Sequence, residues 1–99
     1  MSAMQRKKPE ENLEIPEGTP EVYVDSINVG TQLFGSTMWL GTLRQDQPPL
    51  VKVIVKMSPP MAKVMSLILA KHVRRYEQDT GPINLPKDLY HHLGLEEYI

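Results

Sequence analysis

Hydrophobic and polar positions change rhythm twice along this chain, and the changes mark its elements. From Glu21 to Leu33, Tyr23, Ile27, Val29, Thr31 and Leu33 share one parity and Val22 and Val24 the other. The apolar parity changes near Asp25 and Ser26, which predicts a strand with a bulge or kink there. From Gln32 to Leu43, Phe34, Met38 and Leu40 alternate against Leu33, Trp39 and Leu43, so both faces of this second predicted strand carry large apolar groups. The stretch Arg44 to Pro49 is a turn by composition, because Pro48 and Pro49 fix their own φ and donate no ladder bond. Leu50 to Met57 then alternates cleanly, with Val51, Val53, Val55 and Met57 pointing one way and Lys52, Ile54 and Lys56 the other.

After Ser58 the period lengthens to near 3.6. Met61, Val64, Met65, Ile68, Leu69, His72, Val73 and Tyr76 follow helical spacing, with Lys63, Ser66, Ala70, Arg74 and Gln78 opposite. Ser58 is placed to accept a backbone N–H at the N-cap, and Pro59 suits the first helical position. Gly81 followed by Pro82 supplies the stop. One long amphipathic helix over residues 59–80 is predicted, then an extended Ile83 to Pro86 and a short second helix from Pro86 to Leu93, ended by Gly94. The fold class expected is α+β: a three- to four-stranded antiparallel β-meander packed on one long amphipathic helix, with a short C-terminal helix. Neighbours in sequence are then neighbours in space.

The first twenty residues behave differently. Arg6, Lys7 and Lys8 stand against Glu10, Glu11, Glu14 and Glu17, prolines recur at 9, 16 and 20, and Leu13 and Ile15 are the only large apolar side chains after Met4. Residues 1–20 are read as a disordered tail and residues 21–99 as a single domain. With 99 residues and no cysteine, a multidomain enzyme, a disulfide scaffold, Cys-ligated zinc and thiol catalysis are excluded. No apolar run approaches the roughly 18 residues of a membrane span, and the start lacks the pattern of a secretory signal. A cytoplasmic protein without membrane partners is expected.

Chemistry-bearing motifs are sparse. Gly30-Thr-Gln-Leu-Phe-Gly35-Ser36 has the spacing of a phosphate loop but lacks the lysine before the serine and sits inside a strand pattern, where glycines mark bends or close backbone neighbours. His72 falls on the apolar stripe of the helix, as a hydrogen-bonded boundary histidine does. His91 and His92 are adjacent and diverge by about 100° on a helix, so they do not chelate one ion together. No nucleophile-elbow sequence supports a triad built from Asp25, Asp46 or Ser36 with a histidine. No enzyme, cofactor or metal is therefore expected.

Two surface readings remain. Between Gln47 and Tyr76 the chain has Lys52, Lys56, Lys63, Lys71, Arg74 and Arg75 and no acidic residue, which would suit a phosphate backbone. A helix covering the Val51/Val53/Val55 face would divide these cations between two sides of the sheet, and aromatic residues are only 6% of the chain. Nucleic-acid association is thus the alternative function. The leading one follows from the second face of the sheet. One helix covers one side of a meander, leaving Ile54 and one parity of the second strand uncovered; each large side chain withdrawn from water contributes about 1.5–3 kcal/mol. A homo-oligomeric binding module is expected, with Phe34, Met38, Trp39 and Ile54 giving apolar contact, Lys52 and Lys56 bordering it, and a polypeptide as partner. The competing arrangement has residues 82–99 folding across that face within one chain.

Tyr23, the proline-containing turn, Val53-Ile-Val-Lys-Met57-Ser58-Pro59-x-x-Ala62-Lys63 and Tyr76-Glu77 followed by Gly81-Pro-Ile83 resemble a small bacterial and archaeal family classed as a domain of unknown function. The likeness spans about residues 21–83. It departs in the second strand, where the family has a Phe and an Asp near the strand's end and this chain has Trp39-Leu-Gly-Thr-Leu43. The resemblance implies no reaction. A second, fold-level likeness is to the protein-export chaperone SecB, which sets an antiparallel meander before a long helix and assembles through its sheets and helices; Pro82-Ile-Asn-Leu85-Pro86 and Asp88-Leu-Tyr90 are similar to the segment after that chaperone's first helix.

Overall fold

The computed structural model describes residues 12–99. Its elements run β1 (Ser26–Gln32), β2 (Gly35–Arg44), β3 (Gln47–Met57), α1 (Pro59–Thr80), α2 (Lys87–His92) and a closing 3-10 turn, Glu96–Tyr98. The strands form a three-stranded sheet in the order β1-β2-β3, so the α+β meander-then-helix architecture is observed. The chain divides into two compact units, one formed by residues 12–30 with Thr37–Val55 and the other by Thr31–Ser36 with Lys56–Ile99. Of the expected tail, residues 12–20 are exposed and hold one local turn, in which Thr19 donates from both N and Oγ1 to the Pro16 carbonyl; residues 1–11 lie outside the described residues.

Three boundaries differ from the sequence reading. The first strand begins at Ser26 and not at Glu21, and the change of parity marks its start. There Asp25 N donates to the Gly41 carbonyl at 2.8 Å, while Asp25 Oδ1 accepts from Leu43 N at 2.8 Å. A side-chain oxygen thus takes a ladder position where the strand bends, which is a common use of aspartate beside irregular backbone. Next, Phe34 is not in a strand: Leu33 and Phe34 are the turn between β1 and β2. Lastly, the second turn is only Gln45-Asp46, with Asp46 at φ 59°, and Pro48 and Pro49 lie inside β3. Proline is tolerated there because β3 is an edge strand, where a missing N–H need not break a ladder on both sides. Arg44 Nε donates to the Pro48 carbonyl at 3.0 Å, which ties the two sides of the turn together.

The long helix has the predicted bounds, and its ends are closed by its own chain. At the start, Ser58 is extended (φ −69°, ψ 159°) and its Oγ accepts from Met61 N at 3.2 Å, satisfying one of the four orphan N–H groups of a first turn. At the end, Gly81 adopts φ 108° and donates its N–H to the Glu77 carbonyl at 2.9 Å. That dihedral is unfavourable for a residue with a Cβ, so glycine holds the stop.

Burial is unusual in what it selects. Among the described residues the buried positions are Ser26, Ser36 and Gly41, all small and all in the sheet. Among the described residues no hydrophobic side chain is buried. Gly41 is required by a close approach, since an added Cβ would overlap the Leu50 carbonyl group of β3. A Cβ on Gly30 would come within 3.2 Å of the Trp39 ring, so the indole lies across β1 at the one residue without a side chain.

Candidate functional site

In the first unit, the pleat decides which predicted contact residues share a face. The Trp39 ring over Gly30 sets Trp39 on the side of Ser26, Asn28 and Gly30. Met38, one residue away on the same strand, belongs to the opposite side with Ile27, Val29 and Leu40. Met38 and Trp39 are therefore adjacent in sequence but do not share a surface. Trp39 is 37% exposed and Ile54 is 55% exposed. Along β3 the alternation is visible in the burial: Val53 and Val55 are half-buried, and Lys52 and Ile54 are exposed.

The second unit holds Phe34 and Lys56. Phe34 is 89% exposed at the tip of the β1–β2 turn. Gly35 beside it approaches β3's end so closely that a Cβ would sit 3.0 Å from the Met57 carbonyl oxygen.

The same unit contains a groove absent from the sequence reading. Leu69, His72, Val73 and Tyr76 from α1 and Ile83 line a cavity of about 430 Å³. Its far wall depends on Glu77, whose Oε2 accepts from Ile83 N at 2.9 Å. The carboxylate turns the chain back after Gly81-Pro82 and brings Ile83 beside the helix. This gives the Tyr76-Glu77…Gly81-Pro-Ile83 sequence a physical role: two acceptors on one glutamate, its carbonyl and its carboxylate, fix the helix exit. Likewise the Ser58-Pro59 sequence is the opposite cap. The hydrophobic periodicity did show the stripe; the groove needed the position of Ile83, which no spacing rule supplies.

Around α1 the apolar surface is also wider than a single stripe. Leu67, on the side of Lys63, Lys71 and Arg74 when residues advance by 100°, is 61% exposed. From Met61 to Ala70 only Lys63 and Ser66 are polar, and no residue of the helix is buried. A helix apolar on most sides calls for more cover than one neighbouring layer provides.

The remaining chemistry is modest. His91 Nδ1 lies 3.0 Å from Glu96 Oε1, and the His91 and His92 rings meet edge-on at 6.5 Å and 64°. That pairing links α2 to the closing turn and explains His91 structurally. Among the described residues no three His, Asp or Glu side chains gather as a metal site. The Gly30–Ser36 segment lies in two strands and their turn, with no helix N-terminus following it, so the phosphate-loop geometry is missing. No described helix is long and apolar enough to cross a membrane. No family model, curated protein or solved structure matches this chain.

Proposed function

We propose that this protein is a non-enzymatic, cytoplasmic, homo-oligomeric binding module that holds polypeptide through apolar sheet surface, in the manner of a small chaperone. The observation that supports this reading is that no hydrophobic residue is buried among the described residues, while small polar ones are. Ile27, Val29, Leu43, Leu50, Val51 and Ile54 on the strands all remain exposed. At about 1.5–3 kcal/mol for each large side chain removed from water, such a surface gains far more from association than a marginally stable domain of this size can forgo. Trp39 and Ile54 are the apolar anchors, Phe34 and Met38 further contacts, and Lys52 and Lys56 the cationic border that keeps the free surface soluble.

Sedimentation velocity at tens of micromolar tests the first half, with a dimer or larger species expected and a strict monomer overturning it. Binding of a permanently unfolded probe, a reduced and carboxymethylated polypeptide, tests the second. Ile54→Glu is expected to weaken that binding at least about tenfold, because a carboxylate set among apolar contacts must be desolvated.

A second reading has its own observation. Lys63, Lys71 and Arg74 lie on one side of α1, and among the described residues none of them, nor Arg75, forms a salt bridge. Such cations could follow a phosphate backbone. Retardation of an oligonucleotide at low salt that falls steeply as salt is added would favour this reading; no retardation would remove it.

A further inference from the structure

The two edges of the sheet are built differently, and the difference identifies where a second copy fits. With the order β1-β2-β3, β1 and β3 each have one strand neighbour among the described residues, and no described strand fills their other side. An open edge is a template for another strand unless it is protected by lysine, proline or irregularity. Protection is heavy on β3: it carries Pro48, Pro49, Lys52 and Lys56 in eleven residues. Antiparallel pairing of β3 with itself about Ile54 would also set Lys52 against Lys56 of the other copy, a repulsive arrangement. None of these devices is found in β1, whose seven residues are Ser-Ile-Asn-Val-Gly-Thr-Gln, without charge or proline.

Its sequence is moreover self-complementary. Paired antiparallel about Val29, β1 sets Val29 against Val29, Ile27 against Thr31, Asn28 against Gly30 and Ser26 against Gln32. The β-branched residues Ile27, Val29 and Thr31 would all meet on one face, the kind of cross-strand contact that stabilises a ladder. The turn at Leu33-Phe34 has two residues, so the pair closing it is Gln32 with Gly35. Even-numbered residues of β1 then turn their N–H and C=O toward β2, and Ile27, Val29 and Thr31 turn theirs outward.

We propose that two copies of this chain join β1 to β1, antiparallel about Val29, to make one six-stranded sheet. This rests on the homo-oligomer reading above and names its contact. About six new backbone hydrogen bonds would close the seam. On the face opposite Trp39, the joined sheet would bring Ile27, Val29, Met38 and Leu40 of both copies into one continuous apolar surface. On the other face, Trp39 lying across Gly30 reaches toward the seam, where Asn28 of the second copy falls opposite Gly30. Two-fold pairing closes on itself and leaves the protected β3 strands outermost, so it yields a bounded particle and not a fibre.

The natural chain has no cysteine, so one introduced thiol reports on one contact. Val29→Cys is expected to cross-link rapidly under mild oxidation, because directly opposed residues in an antiparallel pair have Cα atoms about 5.5 Å apart, within disulfide range. Ser66→Cys on α1 is the control and is expected to remain uncrosslinked under the same conditions. Val29→Pro removes an outward N–H while sparing the bonds to β2, and is expected to weaken assembly ~10-fold or more in sedimentation with unchanged far-ultraviolet circular dichroism. If the natural chain is oligomeric but Val29→Cys does not cross-link and Val29→Pro assembles normally, another surface makes the oligomer and this inference fails alone. If the natural chain sediments as a monomer, the homo-oligomer reading fails with it.

Discussion

The helix α1 and the sheet solve the same problem to different extents. Both leave their apolar side chains open to solvent, but α1 satisfies its ends locally, with Ser58 at one and Gly81 and Glu77 at the other. The sheet satisfies only its middle. The strand order pairs β2 on both sides, whereas among the described residues each outer strand has a row of backbone groups that no strand pairs. A helix can complete its hydrogen bonding with a few side chains; a sheet needs another strand. The helix thus requires cover only for its sides, and the sheet requires cover for its faces and a neighbour for an edge.

The sharpest way to break the sheet side of this comparison is Gly41→Val. The new side chain must occupy the place of the Leu50 carbonyl, so β2 and β3 have to separate. A loss of about 3 kcal/mol or more is expected, as overpacking against backbone cannot be relieved by a rotamer change. Hydrogen exchange is expected to accelerate across β2 and β3 while α1 keeps its helical circular dichroism. Protection unchanged on β2 would show that the strands can shift apart freely there. A smaller effect is expected from Asp25→Ala, which removes the acceptor of Leu43 N. The group is exposed enough for water to replace the carboxylate in part, so the loss should be ~1–2 kcal/mol in a denaturant titration, with Asp25→Asn recovering much of it through its own side-chain carbonyl.

How much of this was legible in the sequence follows from the range of the forces involved. The helix bounds were, because Ser58-Pro59 and Gly81-Pro82 act within one turn and the 3.6-residue stripe runs unbroken between them. The strand ends were less so. Pro48 and Pro49 suggested a turn because local propensity cannot tell that β3 would be an edge strand, where prolines survive. Parity places Phe34 on a strand with Met38, while the chain reverses at Leu33 and Phe34 themselves. Five of the proposed contact residues, Met38, Trp39, Lys52, Ile54 and Lys56, do lie on strands as expected, yet Met38 and Trp39 face opposite ways, since a pleat separates neighbours that a list of apolar residues puts together. The groove walled by Ile83 was not legible, because it depends on a hydrogen bond between residues six apart across a helix exit.

The helix side of the comparison is tested by its caps. Glu77→Ala removes the carboxylate that holds Ile83 N, and Glu77→Gln keeps an acceptor at the same reach. The alanine variant is expected to lose about 1 kcal/mol and to open the groove, seen as faster exchange of the Ile83 amide; the glutamine variant should stay near the natural protein. Equal losses in both would mean that the charge and not the hydrogen bond matters at this exit.

The smallest effect is expected where the structure shows only a surface contact. His91 and Glu96 approach to 3.0 Å, but their side chains are 78% and 52% exposed, and a polar contact so open to water and salt contributes little. His91→Gln should therefore change stability by less than about 0.5 kcal/mol. Ser58→Ala, by contrast, should cost ~1 kcal/mol through one lost N-cap bond, although Ser58 is also exposed. The two variants separate the kinds of contact the chain makes at its surface. An N-cap supplies an acceptor to an N–H group that the helix itself cannot satisfy, and its geometry is set by the backbone; the His91–Glu96 contact joins two hydrated side chains that each have water as an equal partner. Thermal melts showing His91→Gln to be as damaging as Ser58→Ala would mean that the closing turn Glu96–Tyr98 is docked more firmly than its exposure implies.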